Sequence, residues 1–268
     1  MIAFFETILF RNEALFYFGT ICLVLAIVLS IASRFSDLKV MGINAYYKPI
    51  KFCLSTVFIA YAMAWFTYDV SDIGNITVFN WVIIITLGFD VFYITFQAIK
   101  GELSHFNIST PTFASLYSLM GIAATIATFA VGYIGILYFQ KDFPDLPTYY
   151  VWAIRLGIIL FVVFALEGFV MSSHFSHTIG GKDGGKGLPF LNWSTQFGDP
   201  RIPHFIGMHA LQVLPILAYY VLKDVRLTFF VALLYSLLAV WTLVMALQGK
   251  SLFKSKNNST AQNKPNTN

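Results

Sequence analysis

EALFYFGTICLVLAIVLSIAS, Glu13 to Ser33, is a run of 21 residues whose one charge stands at its first position. At about 1.5 Å per residue, a helix of that length spans roughly 30 Å, the thickness of a bilayer's hydrocarbon core. The run shows no period-two alternation, which argues against a barrel strand. A bilayer offers no partners to free backbone N–H and C=O groups, so a helix remains. The run is long for the apolar part of a signal peptide, and nothing after Ser33 resembles a mature soluble domain. It reads as a retained signal-anchor helix.

Six further apolar runs follow, near 50–68, 79–98, 112–138, 149–171, 204–222 and 227–248, so that with 13–33 there are seven. The composition agrees: 57% of residues are hydrophobic and 11% charged, where a soluble domain has about a quarter charged. The predicted fold class is therefore all-α, a polytopic membrane bundle of seven transmembrane helices within residues 1–250. Residues 251–268, rich in Asn, Ser and Thr, cannot bury a core and are expected to form a disordered tail. Cys22 and Cys53 fall inside apolar runs and imply no disulfide framework. Eleven aromatics, among them Trp65, Tyr138 and Tyr150, fall where the helices reach one interface and read as an aromatic belt.

If the runs alternate direction, 12 of the 17 lysines and arginines fall on the side holding the loops after the odd-numbered runs and the C-terminus. Short cytoplasmic loops carry that excess, so the expected topology places the N-terminus outside and the C-terminus in the cytoplasm.

The stretch SHFSHTIGGKDGGKG, Ser173 to Gly187, contains the spelling of a nucleotide-binding P-loop at Gly180–Lys186. Its context is wrong for one. An apolar helix precedes it instead of a strand, and Gly187 stands where a Mg²⁺-binding hydroxyl is needed. The glycines read as a connector, a nucleotide is not favoured, and no nucleic-acid partner is expected.

The histidines carry more. All five, His105, His174, His177, His204 and His209, map to loops or helix ends on the expected cytoplasmic side. Imidazoles with carboxylates are common ligands of zinc and iron. Two acids lie in apolar runs, Glu167 about one turn from that interface and Asp90 deeper, and ionisable groups inside a span are functional candidates. Both are read as catalytic candidates, and the five histidines as candidate metal ligands. Thr110-Pro111 and Pro203 predict helix starts at the same interface, and Pro215 predicts a kink. Positive helix ends there, with Lys48, Lys51, Lys182, Lys186 and Arg201, favour an anion or the anionic edge of a cofactor. Gln212, one turn after Met208 on the face of His204, joins these candidate cofactor contacts.

The strings SHFN, HTIGG with GLPFLNWST, and GDPRIPHFIGMHALQ resemble those of a group of bacterial multi-pass inner-membrane proteins, over His105 to about Pro215. The resemblance implies an inner-membrane location and brings no activity with it. In outline, seven helices with histidines at one face are also similar to the seven-helix ceramidase and receptor-type hydrolases. Ser173-x3-His177 fits one element of theirs, but their H-x3-H is absent. The leading expectation is a metal-dependent membrane enzyme, with zinc or iron, acting on a lipid or other membrane-soluble substrate such as a quinone. The alternatives are a haem b protein for electron transfer, and a proton- or cation-coupled transporter or sensor.

Overall fold

The structure, a computed structural model, describes residues 2–185 and 187–253. Lys186 and the part of the expected tail from 254 onward lie outside the described residues. Seven helices are long and apolar enough to cross a membrane, as the sequence predicts. In chain order the elements are α1 (Ile2–Arg11), α2 (Glu13–Phe35), a short hairpin of β1 (Lys39–Val40) and β2 (Ile43–Asn44), α3 (Tyr47–Tyr68), α4 (Ile76–Lys100), α5 (Pro111–Gln140), α6 (Thr148–Leu166), α7 (Gly168–His174), α8 (Arg201–Leu217) and α9 (Val225–Leu247).

The local signals act where the sequence puts them. Thr110 caps α5 by accepting a hydrogen bond from Phe113 N, and Pro111 occupies its first turn. Pro215 has no N–H to give the ladder, and the helix widens into a π turn at Ala218–Leu222 just after it. Two features depart from expectation. An extra helix, α1, precedes the first span and ends at Asn12, whose side chain caps α2 through Leu15 N. The fifth run is broken at Glu167, which separates α6 from α7.

α3, α4, α5, α6 and α8 form a ring; α2 lies outside against α3, and α9 outside against α6 and α8. The outward faces of α2 and α9 expose Val24, Ile27, Ile31, Leu234, Leu237 and Trp241, which suits contact with lipid. One pair of helices approaches closely because glycines face it. A Cβ on Gly157 of α6 would stand 2.8 Å from the carbonyl oxygen of Ala210 in α8, so only glycine permits this approach.

The two ends of the ring differ. At the end that holds α1, Met63, Phe66, Ile134, Tyr138, Ile154 and Leu211 share one filled core. Tyr138 is fully buried there and donates to the carbonyl of Phe66, so it is a core residue and not a member of an aromatic belt. Arg11 donates to the carbonyl of Trp65 at 2.9 Å and approaches Asp69 at 3.3 Å, fastening α1 and α2 to the end of α3. At the other end the hairpin, the 101–110 loop, the 175–200 loop and residues 249–253 meet. Lys51 donates to Leu191 O, and Ile179 pairs with Gly198 in an antiparallel bridge. Ser251, counted with the disordered tail in the sequence reading, is buried here, and its hydroxyl donates to Ser194 O at 3.0 Å. This end is hollow.

Candidate functional site

The ring encloses a cavity of about 600 Å³ that opens toward the loop-rich end. Its outer part is polar, with Lys48, Lys51, His105, His177, Lys182 and Arg201 on the wall. Its inner part is lined by Ile83, Leu87, Met120, Ala127, Val131 and Phe161. Lining positions on α4 run from Ala98 to Ile83, so the cavity is roughly 20 Å deep at the rise of a helix. The site is thus amphipathic along its length.

The polar wall is organised by two carboxylates that the sequence reading did not single out. Asp183 reaches back from the glycine-rich loop to the turn after α7. Its Oδ2 accepts from His177 N at 2.8 Å and from His177 Nδ1 at 2.8 Å, while the hydroxyls of Ser176 and Thr178 both lie 2.8 Å from Oδ1. Burial alone would raise the Asp183 carboxyl; the donors from His177 and Ser176 overcome that and hold it well below the usual carboxylate range. Because Nδ1–H donates to Asp183, the neutral His177 ring carries no proton on Nε2. Burial pushes this imidazole down to about 4, against the pull of Asp183 and helped by the charges of Lys48 and Arg201. His177 is therefore neutral at physiological pH and oriented by a carboxylate, the arrangement of a general base.

Asp199 does for the loop end what Asp183 does for its start. Its side chain is fully buried and accepts from Arg201 Nε at 2.8 Å and Nη2 at 2.6 Å, and from Ser194 N at 2.7 Å. Arg201, expected to meet an anion, is thereby largely neutralised, and it also donates to Asn192 O. The lysines differ. Among the described residues the Lys51 side chain hydrogen-bonds a carbonyl oxygen alone, and that of Lys48 makes neither a hydrogen bond nor an ion pair within contact distance, though Asp183 lies near enough to act on its charge. Lys182 is exposed on the same wall. The cavity wall therefore carries two lysine amines with no carboxylate hydrogen-bonded to them among the described residues.

The five histidines do not converge on one point. His105 lies with its ring centroid 6.4 Å from that of His177, and Ser104 Oγ is 3.1 Å from its Nδ1. Burial, then the charge of Lys48, keeps His105 well below the ordinary histidine range. His204 faces Glu167 at 3.5 Å across α8 and α6. His209 sits against Phe205 with centroids 4.3 Å apart, and its Nδ1 is 3.3 Å from Gln212 Oε1. Gln212 in turn donates to Phe58 O, joining α8 to α3. His174 is exposed and donates to Val170 O at 2.8 Å, outside the cavity wall. Among the described residues no three His, Cys, Asp or Glu side chains stand so as to hold one metal ion. The expected five-histidine zinc or iron centre is not what the helices build. Loops and helix ends instead give the imidazoles separate neighbours: Ser104 for His105, Asp183 for His177, Glu167 for His204 and Gln212 for His209.

Two acids remain without adequate partners. Both oxygens of Glu167 and Oδ1 of Asp90 are buried and unbonded, as is His204 Nδ1. Comparison with protein families, curated proteins and solved structures gives no match. The functional reading therefore rests on this geometry.

Proposed function

We propose that this integral membrane protein is an enzyme that takes an anionic amphiphile, a single-chain lipid carboxylate or phosphate, into the cavity and performs proton-transfer chemistry at its head. One observation carries the reading: an unpaired Lys48, with Lys51, stands at the mouth of a deep cavity whose interior is apolar. An amine without a bonded carboxylate in a partly dry site sheds its proton or takes an anionic ligand, and an anionic head restores the charged form. A quinone would bring no charge to these lysines, so a charged lipid head is preferred to it. His177, held by Asp183, accepts a proton at that head, and His204, beside Glu167, is another imidazole on the wall. Among the described residues no group of three His, Cys, Asp or Glu side chains supports a metal-dependent route. The excess of lysine and arginine at the loop-rich end supports placing the cavity mouth in the cytoplasm of a bacterial inner membrane.

A second reading, haem b, is favoured by one pair. His105 and His177 each have Nδ1 engaged and so present Nε2, with ring centroids 6.4 Å apart. A Soret band in protein purified in detergent selects it, and a spectrum without one dismisses it.

The amphiphile reading is tested by ligand-induced stabilisation. Dodecyl phosphate at 100 times its dissociation constant is expected to stabilise the protein by about 2.7 kcal/mol in a neutral detergent. Replacing Lys48 and Lys51 together by Gln should weaken binding at least roughly tenfold per lysine, since each charge-assisted bond contributes more than about 1.4 kcal/mol. Equal melting shifts in wild type and the double variant would refute the assignment of the head to these lysines.

A further inference from the structure

The deep acid on α4 has no task in the chemistry at the mouth. Asp90 is 7% exposed, lies on the cavity wall and has Oδ1 without a hydrogen-bond partner. Ala98 marks the outer end of the same wall eight residues away, so the carboxyl stands about 12 Å further in. Its neighbours on α4, Leu87, Val91 and Ile94, are apolar, while Thr56 of α3 and Thr128 of α5 line the cavity with it. The Thr128 hydroxyl already donates to Ala124 O. A plain hydrocarbon tail filling this stretch would shut Asp90 away from water and leave it unpaired, which disfavours such a ligand.

We infer that the cavity has a second polar station at Asp90, and that the amphiphile it takes carries a hydroxyl on its chain. The inference rests on the amphiphile reading above and adds the chemical class of the tail. A hydroxyl suits the position because it both donates and accepts, and so pairs with the carboxyl in either protonation state. A site built to bond a hydroxyl rejects the chain that lacks one, because the buried carboxyl is then stranded.

The test compares dodecanoate with a set of hydroxydodecanoates whose hydroxyl moves from mid-chain to the terminus, binding to the full-length protein in a neutral detergent. At least one hydroxy isomer is expected to bind the wild type at least about tenfold more tightly than dodecanoate. Asp90→Asn, which keeps a donor and an acceptor, should retain a preference for the same isomer. Asp90→Leu should erase it by tightening dodecanoate and weakening the hydroxy acid. A wild type that binds dodecanoate and every isomer equally overturns the inference while leaving the amphiphile reading in place, and that arm needs no variant to fold. A preference that survives in Asp90→Leu also overturns it. Failure of all these acids and of dodecyl phosphate to bind removes both readings together.

Discussion

Asp183→Ala is expected to lower the stability of the purified protein by about 3 kcal/mol or more, because Ser176, Thr178 and two donors of His177 lose a charged acceptor and each such bond contributes about 1.5–3 kcal/mol. The carboxylate organises the turn after α7 by itself, and without it the His177 N–H and Nδ1–H lose their acceptor. The same cluster makes the protein acid-sensitive, and the sign follows from His177. Its folded pKa is depressed to about 4, against about 6.5 in an unfolded chain. The unfolded state therefore binds more protons between these values. The stabilisation is fully present above about pH 6.5 and is lost progressively as pH falls toward 4, by about 3 kcal/mol in all. His105, also held low, adds in the same direction, and so does Asp183 further into acid. The charges facing His177 are Lys48 from α3, Arg201 from α8 and Asp183 from its own loop. Thermal melts from pH 7.5 to 4.5 measure the effect, and His177→Gln should flatten the profile. A wild-type melting temperature independent of pH over that range would show that these imidazoles are not buried neutral.

The second large effect is an asymmetry between Glu167 and His204. Glu167 has 4% of its side chain exposed, sits at the break between α6 and α7, and among the described residues its carboxyl makes no hydrogen bond, with His204 Nδ1 3.5 Å away. Removing the imidazole by His204→Ala takes away the polar group nearest the buried carboxyl, and a loss of about 1–3 kcal/mol is expected. Replacing the acid by Glu167→Met removes the group that needs a partner, and stability should stay unchanged or rise, since a buried polar group without a hydrogen bond is costly. An acid that costs stability is what a site for chemistry retains. Melting temperatures of both variants and of the double replacement decide it. Equal losses from the two single substitutions would mean that Glu167 is structural.

The bundle was legible because a bilayer leaves a chain few options: the apolar runs gave seven helices, and Thr110, Pro111 and Pro215 acted through local backbone chemistry. α1 escaped notice because ten residues are too short to read as a span, and its end is set by a single capping side chain, Asn12. The site was legible only as a side of the membrane. His105, His177, His204, Lys48 and Lys51 line one cavity. Their partners were hidden because each depends on how a loop folds back. In the sequence Asp183 is one polar residue among glycines and Asp199 stands before a proline, yet these two carboxylates orient His177 and pair with Arg201. Ser176, His177 and Thr178 shortly before an Asp in a glycine-rich loop was the available signal, since a carboxylate there can gather several donors. His174 shares its stretch with His177 but belongs to an exposed helix end, a distinction that spacing alone does not make.

The central claim is that an anionic amphiphile lies inside the helix ring with its head at Lys48 and Lys51. A dodecyl phosphate carrying a photoreactive diazirine on its chain, cross-linked to the protein in neutral detergent and mapped by mass spectrometry, tests this most directly. The account predicts labelling of cavity-lining positions such as Ile94, Met120, Ala124 and Thr128, suppressed by excess unlabelled dodecyl phosphate and by the double replacement of Lys48 and Lys51. Labelling confined to outward residues such as Ile27 and Leu237, indifferent to competitor, would contradict it.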